Sequence, residues 1–253
     1  MAGKNSKLPK MQQRKKRQSL LIAFSGRQFR PTVIILSSLV LMLTWKYYGS
    51  VSFFRESLAG SFDLPSDAAS QAAAAATYSF LSCFVLLGVI PALIVKLVFR
   101  QRLSDYGVQF GDRLRTIRSF ALMAPFLILI AYSGSGEPAV AAEYPINRGV
   151  LYSPQMFAFH AVTYLFFYLG WEFHFRGFLQ FGLQEKLGRV NSLLVQVLAS
   201  SLLHIGKPDI ESFSAIVAGI VWGIVAYRTR SILSGTLQHY TLGILLDWFI
   251  IRG

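Results

Sequence analysis

The stretch AAAAATYSFLSCFVLLGVIPALIVKLVF, residues 72–99, decides the fold. Its 28 residues carry one charge, Lys96. A helix needs about 20 consecutive apolar residues to cross the hydrocarbon of a bilayer, so this run is long enough to span one. The alanines start a helix, and Pro91 is expected to kink it. Working outward, further apolar runs cover about residues 32–48, 120–132, 154–187, 191–205, 213–227 and 232–251. The first closes on the interfacial aromatics Trp45, Tyr47 and Tyr48. Together the runs predict an all-α polytopic transmembrane helical bundle of about seven spans. Composition agrees: the chain has 253 residues, 53% of them hydrophobic and only 15% charged, whereas soluble domains carry about 25% charged residues. These figures exclude a disordered chain, a collagen-like fibre and a disulfide scaffold, and argue against an ordinary soluble enzyme. Cys83, the single cysteine, lies inside the 72–99 run and is read as a small packing hydrophobe.

The charge is lopsided, with 25 Lys and Arg against 12 Asp and Glu. The basic residues collect beside the apolar runs, which fits the positive-inside rule rather than a nucleic-acid surface. Residues 1–30 hold nine basic residues and no acidic one. They read as a cytoplasmic tail on anionic headgroups, worth about 1 kcal/mol per basic residue, or as a tail that only sets orientation. A secretory signal is not indicated, because the basic region is too long and no small-residue cleavage site follows. Residues 31–253 form a single transmembrane domain. Basic segments at 100–118, 186–189 and 228–230 belong with the tail in the cytoplasm, and 134–150 lies outside.

An ionisable group at membrane depth costs at least about 2.5 kcal/mol, so it survives where it is paired or faces a polar cavity. Three segments qualify. In Gly170–Gly177, Glu172 and Arg176 stand four apart and share a helix face. An ion pair that merely locks two helices is the alternative. His174 points away and reads as a hydrogen-bonded or interfacial histidine. The second segment ends in His204, with Ser200 and Ser201 a turn earlier, and the third holds His239. At about 1.5 Å per residue, Glu172 and His204 lie about 20 Å from the cytoplasmic helix ends and His239 about 12 Å, so the three could meet in one cavity. A carboxylate and two imidazoles can hold and deprotonate water and stabilise an oxyanion, which is amide or ester hydrolysis. The same set could bind zinc, as His₂Glu sites do. No serine or cysteine nucleophile motif and no phosphate loop appears.

These blocks resemble the CPBP (CAAX protease and bacteriocin-processing, or Abi) family of intramembrane proteases. The family block Glu-Glu-x-x-x-Arg is similar to Trp171-Glu172-Phe173-His174-Phe175-Arg176 here. Its histidine block, often F-x-x-x-H, matches Ser200 to His204, and its final H-x-x-x-N/D matches His239 to Gly243. Leu103–Gly107 resembles the family's amphipathic entry segment and Arg228–Leu233 its pre-terminal turn. The resemblance covers about residues 100–250. Three positions depart from it: the first glutamate is Trp171, Ser200 takes the Phe place of the histidine block, and the final Asn/Asp is Gly243.

The resemblance implies an intramembrane endopeptidase acting on a membrane-associated or lipid-modified protein or peptide. Glu172 would activate water, His204 and His239 would position it and stabilise the oxyanion, and Arg176 would fix Glu172. Glu211, just past His204, is a possible accessory base, and a helix N-terminal charge is its alternative reading. The resemblance implies a metal-independent mechanism, with zinc on Glu172, His204 and His239 as the alternative. It also implies a bacterial inner (plasma) membrane, with membrane lipids and a membrane-borne substrate as partners and no nucleic acid. The rival function is a non-catalytic pseudo-protease, a membrane scaffold or bacteriocin-immunity protein.

Overall fold

The structure, a computed structural model, describes residues 26–253. Most of the basic tail expected at 1–30 therefore lies outside the described residues. Of its basic residues, Arg30 is described with an ion pair to Glu185, so this arginine is engaged by protein. The described chain is helical, with no strand among the described residues.

After a short turn at Gly26–Gln28, α1 covers Phe29–Tyr48. A small helical stretch at 51–61 leads to α2, Ala68–Val98. Asp67 caps α2 by accepting from the backbone N–H of Ser70, and that bond draws its carboxyl below the ordinary value. Helix α3 covers Arg113–Ser135 and begins earlier than the apolar run, because Asp112 accepts from the Arg115 backbone N–H. The short α4, Pro138–Glu143, follows. Helix α5, Pro154–Glu172, runs straight into nine π-helical residues, Phe173–Phe181. Helix α6 is Gly182–Leu202, α7 is Asp209–Thr229 and α8 is Leu233–Arg252.

Among the described residues, four helical segments are long and apolar enough to cross a membrane: Gly26–Tyr48, Ala68–Val98, Arg113–Ser135 and Asp209–Thr229. The other three long segments, α5 with its π extension, α6 and α8, carry the polar residues that lower their apolarity. Leucine, valine and isoleucine side chains such as Val40, Leu97, Leu122, Val162 and Val217 face outward, as lipid-facing positions require.

Pro91 does not end α2. It stands at the start of Ile90–Leu93, between π-helical stretches at Phe84–Val89 and Ile94–Val98. Wide turns of this kind absorb the missing N–H and the ring of a proline. The expected separation of the fourth and fifth runs falls at Gly188, whose φ of 76° breaks the helical path inside α6.

The core forms around the π segment. Phe173, Phe175, Phe178 and Leu179 pack with Ile34, Leu41, Cys83, Leu87 and Trp171. At Gly170, α5 meets α2 at backbone distance. A Cβ there would stand 2.7 Å from the Cys83 carbonyl oxygen, so only glycine permits this approach.

Candidate active site

Glu172 is the last α-helical residue before the π segment and is fully buried. Its Oε1 lies 3.1 Å from Nη1 of Arg176 and accepts a 2.8 Å hydrogen bond from Nδ1 of His239. Its Oε2 has no hydrogen-bond partner and faces Gly235, where a Cβ would stand 2.9 Å away. Arg176 is 2% exposed and lies over the Trp222 ring, 5.7 Å from its centre. The i, i+4 spacing read from sequence therefore holds although a π turn begins between the two residues.

His239, on α8, is clamped between aromatic rings. Trp222 lies 4.1 Å away and tilted by 30°, and Tyr168 meets it edge-on at 4.6 Å. His204 is not inside a helix: α6 ends at Leu202, and His204 sits in the turn before α7. Its Nδ1 donates to the Ser200 carbonyl oxygen at 2.8 Å, and the Trp171 ring is 5.5 Å away, edge-on. Lys46 fixes this turn from α1 by donating to the carbonyl oxygens of Leu203 and Ile205, at 3.2 and 3.1 Å.

Both histidines line one cavity of about 300 Å³. Glu211 lines it too, from the first turn of α7, with its Oε1 4.0 Å from Nε2 of His204. The same oxygen accepts a 2.7 Å bond from the Tyr144 hydroxyl. Burial, then the adjacent Glu211 carboxylate, push the Tyr144 phenol well above its ordinary value, so Tyr144 stays a donor. At the rim, Lys207 pairs with Glu143.

The residues named from sequence thus separate into two carboxylate–imidazole pairs. Glu172 with His239 is one, and Arg176 joins it; Glu211 with His204 is the other. Glu172 does not itself line the cavity; it reaches it through His239, which does. Trp171 is 4% exposed and packs among Trp45, Phe167 and Phe175. Its indole also lines the cavity beside His204. His174 is buried against Phe175 and Phe178, away from the site, rather than interfacial. At Gly243 a Cβ would collide with the Tyr168 hydroxyl. Tyr168 occupies that space from α5 and also lines the cavity.

Among the described residues, no three His, Cys, Asp or Glu side chains are grouped to hold a metal ion. The zinc set of Glu172, His204 and His239 is not assembled, because Glu172 turns to His239 and Arg176 while His204 turns to Glu211.

Sequence reasoning missed a buried pair outside the cavity. Nε2 of His160 on α5 lies 2.7 Å from Oδ2 of Asp247 on α8, and both side chains are fully buried. Both residues stand inside apolar runs, so the rule that singled out Glu172 and His239 applies to them equally.

Fold and site together define a polytopic helical membrane protein whose ionisable side chains surround an internal cavity. Residues 153–245, which carry Glu172, Arg176, His204, Glu211 and His239, match the family model described as Rce1-like, type II CAAX prenyl endopeptidase Rce1-like. The match supports membership of the CAAX protease family that the motif blocks resemble. No curated protein and no solved structure matches the chain.

Proposed function

We propose that this chain is an intramembrane endopeptidase of the CAAX type, cleaving a peptide bond in a membrane-borne or lipid-modified substrate at the plasma membrane. The observation that carries the reading is the pair of carboxylate–imidazole couples, Glu211–His204 and Glu172–His239, in the segment that matches the family.

The chemistry follows from the hydrogen bonds. Nδ1 of His204 is spent on a carbonyl, so its Nε2 is free to accept. A water about 2.8 Å from both that nitrogen and Glu211 Oε1 is compatible with their 4.0 Å separation. Glu211 then takes the proton as water attacks the carbonyl carbon, and the proton passes to the departing amine. Tyr144 orients the receiving carboxylate. In this reading the Tyr168 hydroxyl, which lines the same cavity, donates to the developing oxyanion. His239 lines the same cavity and is held there by the bond between its Nδ1 and Glu172. Glu172 and Arg176 act by positioning His239, so the water-activating role expected for Glu172 moves to Glu211. No step requires a metal or cofactor.

The scaffold reading has one observation in its favour: Trp171 is a packing residue where the family pattern has a glutamate. Cleavage of membrane-tethered prenylated peptides separates the two. The protease reading expects cleavage by wild type and a loss of about a hundredfold or more in Glu211→Gln and His204→Ala, with the fold retained. Equal processing by all three, or none by wild type across the panel, overturns it.

A further inference from the structure

A second cavity lies away from the candidate active site. It encloses about 1030 Å³ where the 103–112 connection, the start of α3, the start of α6 and the α7–α8 turn come together. By the distribution of basic residues this is the cytoplasmic end of the bundle. Arg115, Arg189 and Arg230 line it, with Gln109, Gln184 and Tyr227.

Two carboxylates also line this cavity, and both have other work. Asp112 caps α3 through the Arg115 backbone N–H and pairs with the Arg115 guanidinium at 3.1 Å. Asp105 accepts from the Arg102 backbone N–H at 3.3 Å. Arg189 lies over the Tyr227 ring, 5.7 Å from its centre. Among the described residues, the side chains of Arg189 and Arg230 have no hydrogen-bond acceptor or acidic partner. Residues 1–25 contain no aspartate or glutamate that could supply one.

Arg230 is held in place by its backbone. It caps α7 in the left-handed region, φ 57° and ψ 32°, a position usually given to glycine or asparagine. Its carbonyl oxygen accepts from the Gln109 side-chain amide at 2.8 Å. Two planar guanidinium forks, one over a tyrosine ring and one on a capped turn, thus line a roomy polar cavity at the membrane end where anionic headgroups lie.

We propose that this cavity binds a phosphate-bearing anion through Arg189 and Arg230. Bidentate arginine–phosphate bonds are the recognition chemistry that such forks suit. A phospholipid headgroup from the adjoining leaflet and a soluble phosphate compound share that chemistry. The proposal does not depend on whether the protein is a protease.

Native mass spectrometry of the full-length protein tests it, with phosphatidylglycerol, phosphatidylcholine and inorganic phosphate as separate probes. Wild type is expected to retain phosphatidylglycerol at least about tenfold over phosphatidylcholine, and the pair Arg189→Gln with Arg230→Asn to lose that preference. Asparagine tolerates the left-handed cap, so the fold should survive; Arg230→Gly alone provides a second variant that suits the same backbone. Retention of phosphate without a lipid preference, lost in the same variants, also supports the site and assigns it to a soluble anion. An unchanged phosphatidylglycerol preference in the variants overturns the proposal. So does a wild type that retains neither phosphatidylglycerol nor phosphate above phosphatidylcholine.

Discussion

Replacing Glu172 by alanine takes away the counter-ion of a guanidinium that is 2% exposed. Arg176 cannot reach water by a simple side-chain rotation, because the Trp222 ring covers it and the π segment surrounds it. Removing one partner of a buried ion pair costs about 3–5 kcal/mol, since the remaining charge stays desolvated. The hydrogen bond from His239 is lost as well, at about 1 kcal/mol. The total is expected within about 3–5 kcal/mol, because the cation–ring contact with Trp222 offsets part of the loss. The double variant Glu172→Leu with Arg176→Met removes both charges and keeps apolar volume. It should recover most of the stability, yet leave His239 without its anchor and cleavage abolished. Denaturant unfolding of the purified protein in detergent gives the stabilities, and the four-member mutant cycle gives the coupling. A loss below about 1 kcal/mol for Glu172→Ala, well under the range for a buried pair, would refute the reasoning. A double variant no more stable than the single would do the same.

Lys46→Met should loosen the turn that carries His204, since two carbonyl oxygens lose their shared donor; cleavage falls while global unfolding shifts by only about 1–2 kcal/mol. Tyr168→Phe should leave stability nearly unchanged and lower the maximal rate rather than substrate affinity, as removal of an oxyanion donor does. Gly243→Ala drives a methyl into the Tyr168 hydroxyl and should cost about 1–3 kcal/mol, read by the same denaturant titration. Asp247→Ala strands the buried His160 ring without a partner and should cost about 1–3 kcal/mol with cleavage retained; loss of cleavage in a stable Asp247 variant would place that pair in the mechanism.

Much of the architecture could be read from the apolar runs, because lipid imposes length and apolarity on each spanning helix. The run at 72–99 became Ala68–Val98, and residues 232–251 became Leu233–Arg252. The nine-residue π segment after Glu172 was not legible, since it arises from packing on α1 and α2 and has no signature in spacing. His204 was expected inside a span about 20 Å deep; it stands in a turn because α6 ends at Leu202. The pairing of Glu172 with Arg176 followed from helix geometry alone. The pairing of Glu211 with His204 was open, because it depends on how the turn at 203–208 folds back. Tyr168 filling the space over Gly243 is a contact between α5 and α8, and no local pattern encodes it. His160 and Asp247 needed only the burial-cost rule applied to every charged residue in an apolar run.

The most direct test is the origin of the new carboxylate. Cleavage of a membrane-tethered prenylated peptide in heavy-oxygen water, followed by mass spectrometry of the products, reports whether the bond is broken by hydrolysis. The account expects solvent oxygen in the new C-terminal carboxylate with wild type and almost no product with Glu211→Gln. Full product from Glu211→Gln, or no product from wild type on any substrate tried, would contradict it.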